Sequence, residues 1–193
     1  MKTHKLLAGI FLALLAHDLD AQQYASGKGA TILSGMISFQ SNGGDLYGSD
    51  RINFLQITPS FSSMVANNFA LGGSLEFAGQ WEGGASITSV AIGPHLGWIG
   101  GTEASTSFPY FIVGFRYISQ SVDFGSPLFG SSTASGTNIS VNGGTIVALR
   151  KHLGLNIGIR FDLVTLSQNS QSESGNIISI GAGLSGLLFK AGE

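Results

Sequence analysis

The chain has 193 residues, of which 10% are charged, 29 are Gly and none is Cys, and its formal net charge is -2. That length suits one domain with a real interior, but the charge falls well short of the roughly 25% that covers an ordinary soluble domain. The near-neutral balance without a basic stripe excludes nucleic-acid binding, and the lack of Cys excludes a disulfide framework, a thiolate nucleophile and a lipid-anchored N-terminal cysteine.

In chain order, Lys2 and Lys5 precede the apolar run LLAGIFLALLA, Leu6 to Ala16, and HDLDA then leads to Gln22. This is the order of a secretory signal peptide. The apolar run is too short for a spanning helix, which needs about 20 residues. The reading is therefore a signal peptide over 1–21, cleaved near Ala21, and a single domain over 22–193.

Beyond Gln22, clusters of Gly, Ser, Thr and Asn recur roughly every dozen residues, the spacing of an all-β sandwich or barrel. Eight strands are expected: Ala30 to Gln40, Ile52 to Val65, Phe69 to Trp81, Ser86 to Ile99, Phe108 to Gln120, Asn138 to Leu149, Leu153 to Leu166 and Asn176 to Phe189. Tilted, each is long enough to cross about 25 Å of hydrocarbon. The eighth is the irregular one: Ile178, Ile180, Ala182 and Leu184 share a face, whereas Leu187 and Phe189 fall on the other, which a bulge near Gly186 would repair. NGG, Asn142 to Gly144, reads either as strand or as a hairpin turn that would cut the sixth strand short.

FALGGSLEFAGQW, Phe69 to Trp81, alternates large apolar residues with small or polar ones, and the same period of two runs through Leu55 to Phe61, Val90 to Trp98 and Leu155 to Leu163. A strand with that period has one apolar and one polar face. The outside of a soluble barrel should carry scattered charges, but here the second face is mostly Gly, Ala, Ser, Thr and Asn. It fits the narrow, filled lumen of a closed eight-stranded barrel, with the apolar face toward lipid. The mid-strand charges Glu76, Arg116, Arg160 and Asp162 all lie on the small-residue face, and an unpaired Arg on the lipid face would cost roughly 2–4 kcal/mol at the midplane. Trp81 and Tyr117 near one set of strand ends, and Phe61, Phe69 and Trp98 near the other, are the expected membrane-interface aromatics. Even strand number puts both termini on the periplasmic side, with Ser41 to Arg51, Glu82 to Ala85, Ser121 to Thr137 and Ser167 to Gly175 as outer loops.

ITPSFSSMVANNFALGGSLEF, Ile57 to Phe77, and RKHLGLNIGIRFDL, Arg150 to Leu163, each contain a short turn entering a Leu-Gly or Gly-Leu strand that alternates to a Phe. In this the chain resembles the small outer-membrane β-barrel family of the OmpA and OmpX type, over Ala30 to Phe189. The resemblance implies an all-β, up-and-down transmembrane barrel in the outer membrane of a Gram-negative cell envelope. It also implies outer-membrane lipid and the barrel-assembly machinery as partners, although the terminal aromatic that such barrels present to that machinery would be Phe189, here followed by KAGE. The two segments align as a weak internal repeat in which Glu76 matches Arg160. As strands three and seven of eight they stand across the lumen, so a charge network of Glu76 with Arg160, extended by Arg116, Asp162 and His95, is expected; isolated buried charges are very costly.

Chemical motifs are sparse. IGAGLSG, Ile180 to Gly186, matches G-x-G-x-x-G but has no following helix and strand; no G-x-S-x-G elbow occurs; His95 and His152 lack carboxylate neighbours for a metal site. No catalytic residue, cofactor or metal is expected. The expected protein is a monomeric barrel with a plugged lumen, structural or surface-binding. Its candidate binding loop carries Phe124, Pro127, Leu128 and Phe129 for an unknown extracellular ligand. A lipid-modifying enzyme, a small channel and a secreted lipocalin-like barrel are the alternatives.

Overall fold

The computed structural model describes residues 26–42, 52–82, 85–102, 105–124, 131–168 and 171–188, so the expected signal peptide lies outside the described residues. Eight strands, β1 Thr31–Asn42, β2 Ile52–Ala66, β3 Phe69–Glu82, β4 Ala85–Ile99, β5 Ser107–Asp123, β6 Ser131–Arg150, β7 Leu153–Gln168 and β8 Gln171–Leu188, pair antiparallel in chain order and close into one barrel. Thr31 pairs directly with Leu188. Followed the other way around the wall, through Ser63, Leu71, Leu96, Val113, Val141 and Phe161, it reaches Ile178, ten residues along β8 from Leu188. A stagger of ten over eight strands tilts them about 40° from the barrel axis.

The rim where β1 begins and β8 ends is called the lower rim. Its β2–β3 turn is tight because Asn68 adopts φ 66°, a left-handed conformation that Asn tolerates, while its side-chain amide donates to the Ile99 carbonyl at 2.8 Å. The residues before β1 fold beneath the wall: Ser26 is fully buried, its carbonyl accepts from Asn68 N at 2.7 Å, and its hydroxyl donates to the Gly101 carbonyl at 3.2 Å.

Period two sorts the side chains as lipid demands. Outward residues such as Ile57, Phe77, Ile92, Phe115 and Ile159 are about half exposed, whereas the buried residues, charges included, point inward. On β7 the outward face is apolar from Leu153 to Leu163 and polar from Thr165. Ten steps of about 3.3 Å inclined at about 40° climb about 25 Å, the height of a lipid-facing belt.

Three expectations change. β6 begins at Ser131 rather than Asn138 and β8 at Gln171 rather than Asn176, so much of the expected outer loops Ser121 to Thr137 and Ser167 to Gly175 is strand. Above the belt the outward face turns to Ser and Thr while the hydrogen-bond ladder continues. No bulge is needed at Gly186, because β7 and β8 stay in register from Leu153↔Gly186 upward. Leu187 points inward, 2% exposed, into an apolar plug with Ile32, Met64, Ile99, Phe108 and Ile146 that fills the lower lumen.

NGG lies inside β6, paired to both neighbours, and the neighbouring β7 backbone together with the Tyr110 hydroxyl requires glycine at the second of its two glycines, Gly144. A Cβ on Gly144 would run into the Ile157 backbone carbonyl and stand 2.6 Å from the Tyr110 hydroxyl, which donates to Asn156 Oδ1 at 2.8 Å. Gly144→Ala should therefore lower stability by about 1–3 kcal/mol through overpacking. The same change at Gly35, where a Cβ meets nothing within 4 Å, should be near neutral; urea titration of both variants in detergent checks the contrast.

Candidate functional site in the lumen

Glu76 on β3, Arg116 on β5, and Arg160 and Asp162 on β7 enter the lumen from strands on different sides and meet in a closed ring. Arg116 bonds Glu76 at 2.5 Å and Asp162 at 2.7 Å, and Arg160 bonds the same two carboxylates at 2.6 Å each. Each guanidinium thus bridges both acids with charge-assisted bonds from two of its nitrogens, which its fixed array of donors allows. All four side chains are nearly excluded from solvent, Asp162 completely. Formal charge cancels within the ring, which makes four ions tolerable at membrane depth.

His95 stands apart from this network. Its Nε2 lies 2.8 Å from Ser62 Oγ, below the ring, where Gly72 leaves the space that its imidazole occupies.

The layers above and below the ring differ. The next inward residues toward the upper rim on the same three strands are Ala78, Ile118 and Val164, and Ala91 and Ile118 there are buried. Directly beneath Arg116 and Arg160 lies a cavity of about 80 Å³ with a mixed lining, Ser62, Ser74, His95 and Asn142 beside Ile99 and Ile112, with room for a few waters. Beneath the cavity comes the apolar plug. The axial path therefore crosses an apolar layer, an ion ring, a small chamber and a second apolar layer.

The interface aromatics take two borders of the belt. Phe69 pairs with Trp98 and Trp98 with Phe111, giving an aromatic row near the lower rim. The sequence reading omitted Phe111; its position opposite Trp98 needed the register. Phe61 sits higher, opposite Gly73. Tyr117 is the last outward aromatic of β5 before Ser119 and Ser121, and Trp81 folds back over Gly79, whose Cβ would come within 2.8 Å of the indole. In the candidate loop Phe124 is half exposed beside the end of β5; Pro127, Leu128 and Phe129 lie outside the described residues, as does Phe189.

No protein-family model matches the chain, and no curated protein resembles it at a significant level. Solved structures do share its fold. Neisserial surface protein A (NspA) is 16% identical with a TM-score of 0.56, covering 82% of this chain and 99% of its own. The outer membrane protein OprG from Pseudomonas aeruginosa is 14% identical with a TM-score of 0.57, covering 89% and 100%. The N-terminal β-barrel domain of Pseudomonas aeruginosa OprF is 9% identical with a TM-score of 0.54, covering 84% and 98%. The fold is that of the small outer-membrane β-barrels.

Proposed function

We propose that the chain is an integral outer-membrane barrel with a plugged lumen, acting as a structural or surface-binding element rather than as a pore or an enzyme. The ion ring, with apolar layers closing both ends of the lumen, carries this reading, because an ion crossing the lumen would have to break charge-assisted bonds among side chains nearly excluded from solvent. Planar bilayers holding the purified protein should show no conductance above background. Conductance that Glu76→Gln abolishes would overturn the plug.

A non-catalytic role has its own support. Ser62 and His95 are spaced like a nucleophile and its base, but they face a chamber of about 80 Å³, too small for a lipid or peptide substrate. Closure of all eight strands into one ring favours a monomer. Surface binding is favoured by Phe124, half exposed at the upper rim. Deleting 124–130 should abolish capture of an extracellular partner and leave heat-modifiable gel mobility intact.

A further inference from the structure

The outer wall carries a concavity where β1 meets β8. A groove of about 410 Å³ is walled by Leu33, Ile37, Ile57, Pro59, Leu153 and Leu184. Its floor is open because Gly35 and Gly186 have no side chains: a Cβ at Gly35 would meet nothing within 4 Å, and one at Gly186 only Leu33 atoms at 3.8 and 3.9 Å. The groove rises from Leu153, just after the lower turn, to Ile37 and Ile57 in the middle of the belt. From Leu33 to Ile37, four steps of about 3.3 Å inclined at about 40° climb about 10 Å, about two thirds of one leaflet, which is half of the about 30 Å core.

Charge is arranged to match. His152 lines the lower mouth of the groove, and Arg150 and Lys151 precede it in the same turn, both exposed. Among the described residues the lower rim also carries Lys28 and no acid, whereas Asp123 and Glu173 stand toward the upper rim, which carries no cation.

We propose that this groove holds one anionic glycerophospholipid from the leaflet at the lower rim, one acyl chain lying over Gly35 and Gly186 and the phosphate against the Arg150–His152 turn. In hydrocarbon the hydrophobic effect does not favour a wall over neighbouring lipid, so retention needs close van der Waals contact on several sides and attraction of the headgroup to basic residues. The groove supplies the first and the turn the second. A second hollow on the outer wall, about 610 Å³ beside Phe61, Leu75, Ile92 and Pro94, has no basic residue in its lining, so it lacks the headgroup contact.

The test uses the full protein refolded into phosphatidylcholine vesicles containing a trace of phosphatidylglycerol with a diazirine at its acyl terminus. After photolysis, mass spectrometry should find adducts on Leu33, Ile37, Ile57 and Leu184 enriched at least about fivefold over Phe111 and Phe115 on the opposite wall. Gly35→Leu with Gly186→Leu fills the groove without strain and should bring that ratio to about one, with heat-modifiable mobility showing that the variant still folds. Arg150→Gln with Lys151→Gln should erase the preference for the phosphatidylglycerol probe over a phosphatidylcholine probe with the same chain. Uniform labelling around the belt, or enrichment that survives the filled groove, overturns the proposal. Equal labelling by the two probes on the unmodified protein overturns the headgroup contact.

Discussion

Asp162→Asn should lower the stability of the barrel by about 3–5 kcal/mol, the range for removing one partner from a buried ion pair. Asp162 is fully buried and accepts from both Arg116 and Arg160. The amide keeps the shape and removes the charge, leaving two guanidiniums to share Glu76 alone. Urea unfolding in detergent, followed by the shift between folded and unfolded gel mobility, measures the loss. Adding Arg160→Gln should recover part of it, since Arg116 and Glu76 at 2.5 Å remain a balanced pair. A double-mutant cycle then isolates the coupling. A loss below about 1 kcal/mol for Asp162→Asn, the size of an exposed ion pair, would mean that water screens the ring and that the lumen is wetter than its burial indicates.

Ile159→Arg should cost about 2–4 kcal/mol, whereas Thr165→Arg on the same face of the same strand should cost about 0–1 kcal/mol. Ile159 is outward and 57% exposed at the middle of the apolar belt, and Thr165 is the first outward polar residue above it. The contrast reads depth in hydrocarbon, because exposure to water would make the first substitution favourable. Refolding yield and urea midpoint in lipid vesicles give both values. Equal, small effects at the two positions would mean that this face meets solvent and would reverse the assignment of inside and outside.

The strands below the upper border of the belt were legible because alternation there is enforced by lipid on one side and a narrow lumen on the other. β1, β2, β3, β4 and β7 lie within two residues of their expected ends at both termini. Beyond the border, the upper parts of β6 and β8 are strand with no apolar face, so a hydropathy pattern reports the membrane and is blind to the ladder. Leu187 misled for a related reason. Its inward side chain belongs to a plug at the lower end, where the lumen itself is apolar, and only the assembled ring reveals that layer.

Charge told more than expected at one place and less at another. By itself the sequence determined that Glu76, Arg116, Arg160 and Asp162 share a face, since strand parity leaves no other choice. It could not determine that they form one closed ring with His95 outside it, because that depends on the ten-residue stagger and on the glycines that let Tyr110 and His95 occupy the lumen. Composition and period two set the class of the protein, for they follow from which solvent each face must meet. The tertiary structure decided who touches whom, where the lumen leaves a cavity, and where the outer wall is hollow, because those depend on distances between strands that lie far apart in the chain.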